Sequence, residues 1–327
     1  MLATTGSPDG AVVQRAQLVA AAPPPAGPTF AEVVERYLRE FAPSHLKGST
    51  QHGYGIVLRT RLVPRLGALP VEAVDASRVR EIDVQLVREG AASATRRNVQ
   101  VVLRSVLCRF AVEAGLLHDP PRLPRLPKVG ISVLTALTRE DVHAIIASAR
   151  PQYRVPFLLG AFAGLRAGEI RGLRWRDVDL RAGRIIVRQS ICRGVVAPPK
   201  SGHQRVVPMT AELRATLSAL PHGGQDALVT VNRRGKPWAE YALGAAFRRA
   251  CRAAGLNGWS LHDLRHFFVT ELFRRSASAP TVQALAGHSH LSVTQRYAHV
   301  ASVDLEDAIR RLDGNGVVTG TAPATVT

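Results

Sequence analysis

Three short stretches of this 327-residue chain gather arginine and histidine at spacings that suit an anionic ligand. In Gly164-Leu165-Arg166-Ala167-Gly168-Glu169-Ile170 an arginine stands between two glycines at a helix junction. Glycine there lets the backbone approach a ligand closely, and Glu169, one helical turn after Arg166, is spaced to orient the guanidinium. In Leu261-His262-Asp263-Leu264-Arg265-His266, His262 and Arg265 lie at i, i+3. They share a helix face while Leu261 and Leu264 turn to a core. The third stretch is Ala286-Gly287-His288, and nine residues beyond His288 comes Tyr297, followed by Ala298-His299. Lys200 lies between Pro198 and Pro208 in what reads as a hairpin turn leading into a strand. Taken singly, each residue also has a plainer reading. Arg166 suits a structural pair with Glu169 as well as it suits a phosphate. Lys200 alone is a solvated turn lysine, Tyr297 a half-buried aromatic, and Glu169 and His299 structural. A metal pair at His262 and His266, extended by His288 and His290, lacks a carboxylate at the spacing of a hydrolytic zinc site.

The whole chain is basic, with 43 Lys/Arg against 25 Asp/Glu and a formal charge of +18. Phosphate binding rewards clustered cations through release of condensed counterions, so nucleic acid is the first partner to consider, ahead of a merely arginine-preferring composition. The distribution favours a local ligand: Gly164 to Arg205 holds ten Lys/Arg and three Asp/Glu. A hydrophobic content of 46% with 21% charged residues suits a packed globular protein and excludes general disorder. No 18-residue apolar run is present, which excludes a membrane-spanning helix. The N-terminus also lacks the basic region and apolar core of a secretory signal. Cys108, Cys192 and Cys251 are far apart with no CxxC pairing, so reduced thiols in a cytosol are expected.

Two folded regions must position these residues. Residues 1–28, rich in Ala, Gly and Pro, read as a disordered tail. Thr29 and Glu32 form a capping box that opens the first of four helical patterns, whose apolar face runs Phe30, Val33, Val34, Tyr37, Leu38 and Phe41. The second covers about 50–62, with Pro64 as its expected stop. The third follows Asp75 and carries Val79, Ile82 and Leu86; the fourth covers about 94–114 and ends at Gly115. Residues 29–117 therefore read as a compact four-helix bundle. Residues 118–135, with Pro120, Pro121, Pro124 and Pro127, read as a semi-rigid linker. Arg122, Arg125 and Lys128 follow Asp119 there with no further acid, as in a segment lying along a phosphate backbone.

Residues 136–312 read as the second domain. Thr138 to Asp141 caps a helix, and helical patterns follow over 156–165, 169–175, 210–220, 239–254, 262–273, 281–286, 293–299 and 304–312. Residues 177–183 read as a turn into a strand over 184–188. Segments 195–198 and 205–208 add two more strands to one small antiparallel sheet. The fold class is thus mainly α with a small antiparallel β-sheet, and 313–327 is a second disordered tail. Trp175, Trp238 and Trp259 are too dispersed for base stacking and read as packing, while His266, Phe267 and Phe268 are expected to fill the core behind the site.

Taken together, the motifs resemble those of the tyrosine recombinases, the phage-integrase family. That family carries an Arg after Gly-Leu, a Lys on a β-hairpin, His-x-x-Arg, a Gly-His pair, and a Tyr followed two residues later by His. The resemblance covers almost the whole ordered chain, with all five motifs in family order. It implies a helical core-binding (SAM-like) DNA-binding domain over 29–117 and an α+β catalytic domain over 136–312. It also implies site-specific recombination or integration, in which the Tyr297 hydroxyl attacks a phosphodiester of double-stranded DNA, giving a 3′-phosphotyrosyl link and a free 5′-hydroxyl. Arg166 and Arg265 would hold the non-bridging oxygens of the phosphorane. Lys200 would protonate the leaving oxygen, His262 accept the tyrosine proton or hold the phosphate, and His288 donate to a non-bridging oxygen.

The covalent link conserves the bond energy, so no cofactor is expected, and three cations at the phosphate make a divalent metal redundant. Two departures stand out. Ala286 occupies a position where the family usually has leucine. Residues 1–28 are too short and too nearly uncharged for the arm-binding domain of longer integrases, so a simple two-domain form with fewer accessory contacts is expected. The 304–312 helix, with Leu305, Ile309 and Leu312 on one face, would dock on a neighbouring subunit of a DNA-bound tetramer or pack on its own domain. A type IB topoisomerase-like relaxing enzyme and a non-catalytic DNA-binding regulator are the alternatives, and an intact nucleophile counts against the second. The expected location is the bacterial cytoplasm, at the nucleoid when bound.

Overall fold

The capping box forms as the sequence predicts: Glu32 N–H donates to Thr29 Oγ1 at 3.3 Å and Thr29 N–H to the Glu32 carboxylate at 2.8 Å. This is seen in a computed structural model that describes residues 27–130, 136–199, 202–289 and 294. The chain divides into two compact units, 1–131 and 132–327, and each has its own hydrophobic core.

In the first unit, α1 (Phe30–Arg36) continues through a π-helical turn, Tyr37–Phe41, into α2 (Ala42–His45). The next rod repeats the device: α3 (Gly48–Val57), a π turn at Leu58–Leu62, then α4 (Val63–Leu66). Pro43 and Pro64 each stand two residues after a π turn. Pro64 therefore does not stop the second helix, contrary to its reading from sequence. The widened turn moves carbonyls away from the ring, so the rod runs on through Pro64 with Val63 N–H still bonded to the Leu58 carbonyl. Asp75 caps α5 (Ala76–Arg88), which buries Val79, Ile82 and Leu86. The fourth rod is α6 (Ser93–Arg104) with a π turn at Ser105–Ala111, and the chain leaves it at Gly115 with φ +66°. Inside the bundle the Tyr37 and Ser105 hydroxyls meet at 2.7 Å, so the buried phenol keeps a partner. The proline-rich stretch that follows is fastened to this unit. Leu116, Leu117 and Leu123 pack on its core, and Arg97 and Arg104 donate to the carbonyls of Pro127 and Pro124. Arg122, Arg125 and Lys128 stay exposed.

The second unit begins with α7 (Arg139–Ser148), capped by Thr138 with Asp141, and α8 (Pro151–Phe162). Pro151 at the first helical position pre-sets its φ, so α8 starts five residues before the predicted stretch and carries Pro156 within it. Next come α9 (Ala167–Gly172), β1 (Val178–Asp179), β2 (Arg184–Val187), β3 (Ser190–Cys192), β4 (Val195–Ala197) and β5 (Arg205–Pro208). The helices α10 (Ala211–Ser218), α11 (Ala242–Ala253), α12 (Leu261–Arg274) and α13 (Ala279–Ala286) follow.

The strands make two sheets where the sequence reading has one. Antiparallel β1-β2-β5 pairs Ile185 with Val207, and a separate hairpin pairs Ile191 of β3 with Val196 of β4. β1 lies in what reads as a turn, because two residues are too few for alternation to show. Ile185, Val187 and Val207 enter a core that also holds Phe157, Trp175, Trp238, Phe247 and Phe267, with Trp259 packed at its edge. The tryptophans are packing residues, as read. The predicted helices over 293–299 and 304–312 lie outside the described residues, Thr294 apart. Among the described residues no helix is long and apolar enough to cross a membrane.

Candidate active site

Behind α8 the backbone turns at Gly164, φ +62°, where a Cβ would stand 2.4 Å from the Phe268 ring. A side chain there would be both strained and obstructed, so glycine is needed for α12 to close on this turn. Two residues on, Arg166 leads into α9. Its backbone N–H donates to Glu169 Oε2 at 2.9 Å, its Nη1 to Glu169 Oε1 at 3.0 Å, and its Nη2 to the Gly287 carbonyl at 2.9 Å. Glu169 orients Arg166, as its spacing predicts.

α12 is fixed at its start by Ser260, whose N–H and hydroxyl donate to Asp263 at 2.7 and 2.8 Å. That cap sets the helical phase of His262 and Arg265. Arg265 is 2% exposed; its Nη1 donates to the Gly164 carbonyl at 2.6 Å and its Nη2 to the Ala286 carbonyl. The His262 ring stands edge-on to His266, 4.7 Å between centroids. Phe267 and Phe268 are buried behind the arginine, as expected, whereas His266 is only half-buried.

The third motif ends α13. Gly287 caps the helix at φ +65° and donates to the Gln283 carbonyl at 2.8 Å. His288 follows directly, with Nδ1 2.9 Å from Thr294 Oγ1. A cavity of about 290 Å³ opens beside it, lined by His203, Gln204, Arg205, Gln283, Gly287 and His288.

Arg205 has no role in the sequence reading, where it is only the last cation of the basic stretch. In the structure it heads β5 and turns inward, 9% exposed. Its two terminal nitrogens donate to the two Glu169 oxygens at 3.0 and 2.7 Å, and its Nε to the Leu285 carbonyl at 2.9 Å. The alternation of Arg205-Val206-Val207-Pro208 held the signal, since it places Arg205 on the same inward face as Val207. Three successive carbonyls at the end of α13 are therefore each held by a different arginine: Leu285 by Arg205, Ala286 by Arg265 and Gly287 by Arg166. These groups lie where a helix leaves its carbonyls without internal partners and where its dipole is negative, so cations suit them twice over.

Charge states follow from this packing. Burial alone would raise the Glu169 carboxyl, but the hydrogen bonds and charges of Arg205 and then Arg166 override it and hold it at about 2. Burial, aided by the charges of His266, Arg265 and Arg166, pushes His262 down to about 4. Burial with Arg265, Arg166, His262 and His266 does the same to His288, also to about 4. Both imidazoles are therefore neutral at pH 7 and able to accept a proton. Arg166, His262, Arg265 and His288 thus share one electrostatic neighbourhood. Lys200, Tyr297 and His299 lie outside the described residues.

A cluster of arginines and neutral histidines of this kind suits a phosphate, and comparison with known proteins specifies the family. A model of the phage integrase family matches residues 135–303. Tyrosine recombinase XerA of Thermococcus kodakarensis is 33% identical over 222 residues, covering 65% of this chain and 74% of the relative. Tyrosine recombinase XerC of Serratia marcescens is 29% identical over 297 residues, 84% of this chain and 92% of the relative. Among solved structures, the Tn1549 transposon integrase in complex with transposon right-end DNA superposes with a TM-score of 0.72. It shares 20% identity, over 87% of this chain and 99% of that one. The chain belongs to the phage integrase family, the tyrosine recombinases.

Proposed function

We propose that this recombinase cuts and rejoins double-stranded DNA at specific sites through a 3′-phosphotyrosyl intermediate, with Tyr297 as the nucleophile. The observation that carries this reading is the convergence of Arg166, His262, Arg265 and His288 around the end of α13. In the first step the Tyr297 oxygen bonds to phosphorus as the bond to the 5′-oxygen breaks. In the second, a 5′-hydroxyl displaces the tyrosine and reseals the strand, so no bond energy is lost and no cofactor is consumed. Arg166 and Arg265 stabilise the charge that builds on the non-bridging oxygens. His262, neutral at pH 7, accepts the phenol proton or holds the phosphate, and His288 donates to a non-bridging oxygen. Lys200 delivers a proton to the leaving 5′-oxygen. With these cations at the phosphate the chemistry needs no divalent metal.

The reading extends to a tetramer on paired DNA sites, acting in the cytoplasm. A solved relative, the lambda integrase tetramer bound to a Holliday junction, has the same fold, with a TM-score of 0.67 at 18% identity. The test is to trap the adduct on a nicked duplex taken from the site the protein protects. A covalent protein–DNA band should form, survive EDTA and vanish in Tyr297→Phe. Alanine at Arg166 or Arg265 should slow its formation by about 10²–10³. A band that persists in Tyr297→Phe, or that requires a metal, overturns the reading.

A further inference from the structure

Arg166 and Arg265 face two demands: each holds a carbonyl of the α13 turn, and each is expected to turn N–H groups to a DNA phosphate. Arg205 differs from both. Its two terminal nitrogens are committed to the two oxygens of Glu169, and its Nε to Leu285. Glu169 neutralises it, which leaves it little pull on an anion. The bonds close a ring across three elements. Arg205 of β5 grips Glu169 of α9, Glu169 grips Arg166, Arg166 grips the Gly287 carbonyl, and two residues back the Leu285 carbonyl returns to Arg205. Gly287 lies flat on the Arg205 side chain, where a Cβ would meet Cδ at 2.9 Å. Pull Arg205 out and Glu169 keeps a single guanidinium, while the turn that carries His288 loses its hold on β5.

The geometry points to Arg205 as a positioning residue for strand cleavage: it registers the end of α13 against Arg166, so that the phosphate clamp and His288 meet the scissile phosphate together. The inference rests on the recombinase reading above. It assigns Arg205 no contact with DNA, and its removal should slow chemistry while leaving site binding intact.

The test measures single-turnover adduct formation and site binding in the 327-residue chain, with Arg205→Met and Arg205→Lys, on two substrates. One carries the ordinary phosphodiester. The other carries sulfur in place of the bridging 5′-oxygen, a leaving group that needs no proton. In Arg205→Met, cleavage should slow by about 10²-fold, the scale of a reacting group displaced by about 1 Å. Binding should hold, and the sulfur substrate should not restore the rate. Arg205→Lys keeps the charge but not the fork that spans Glu169 and Leu285, and should fall between the two. Cleavage at the wild-type rate in a folded variant overturns the inference. So does rescue by sulfur, which would place Arg205 with the proton donor. Parallel loss of binding, cleavage and melting temperature in both variants reduces the residue to a structural brace and overturns it as well. If Arg205→Met does not fold, a wild-type cleavage rate in Arg205→Lys overturns it and a selective slowing supports it. Absence of any adduct from the wild type removes the recombinase reading itself, an outcome distinct from all of these.

Discussion

Glu169 is an acid set among arginines, 1% exposed, and its charge decides whether they hold together. Replacing it with glutamine keeps the shape but leaves Arg205 and Arg166 facing a neutral amide. Removing one partner of a buried pair costs about 3–5 kcal/mol. Urea unfolding of Glu169→Gln should show a loss of that order, and Glu169→Gln/Arg205→Met should lose less than the two single changes added, because the second removes the charge the first exposes. The histidines set a separate pH dependence in the DNA-free protein. His262 and His288 titrate at about 4 when folded, against an ordinary value of 6.5. Below 6.5 the unfolded chain binds protons that the fold refuses, so stability should fall as pH drops from 6.5 towards 4. Glu169 acts lower: its contribution is full above 4.5 and is lost as pH falls towards 2. Urea midpoints across this range should show two acid stages, and replacing both histidines with phenylalanine should shrink the upper one to the part that His266, also held down by burial, still supplies. A wild-type profile flat from 6.5 to 4 would contradict the lowered titration of these two rings.

At the scale of elements, the turn between α8 and α9 brings α12 against the site. In Gly164→Ala the left-handed backbone costs about 1–2 kcal/mol, and the methyl must displace the Phe268 ring. Pairing it with Phe268→Leu should recover the crowding and leave the backbone cost, a split that urea unfolding of single and double variants can resolve. If the double variant recovers nothing, the ring is not the obstacle. Elements with a strong local signal were legible in the sequence. Thr29, Asp75 and Thr138 start helices where their types predict, and the Val79, Ile82 and Leu86 stripe is buried. Elements defined by partners were not. β1 and β3 are two and three residues long, too short for alternation to show, and pairing with the next strand is what defines them. Pro64 reads as a stop because periodicity does not reveal a π turn ahead of it. The site divides the same way. Motif residues announce themselves by neighbouring glycines and histidines, whereas Arg205 gains its place through Glu169, 36 residues earlier.

Across the full chain, cations outnumber acids. Residues 1–131 hold 17 Lys/Arg against 11 Asp/Glu, and residues 132–327 hold 26 against 14, so both units favour a polyanion. The cations are not equivalent. Arg205 is buried and neutralised by Glu169, while Arg122, Arg125 and Lys128 are exposed on a stretch whose backbone is pinned to α6 through Pro124 and Pro127. Pinning lowers the entropy cost of laying these side chains along a phosphate backbone. Each phosphate contact adds about −0.9 to the slope of log affinity against log salt. Changing Arg122, Arg125 and Lys128 together to glutamine should therefore flatten that slope by about 2–3 and weaken binding to unrelated duplexes as well as to the target, as backbone contacts do. Arg205→Met should leave the slope unchanged. Titrations of wild type and both variants from 50 to 200 mM salt separate the two classes. An unaltered slope in the triple variant would show that the proline-rich segment does not lie on the duplex, and a flattened one in Arg205→Met would place that arginine on the DNA.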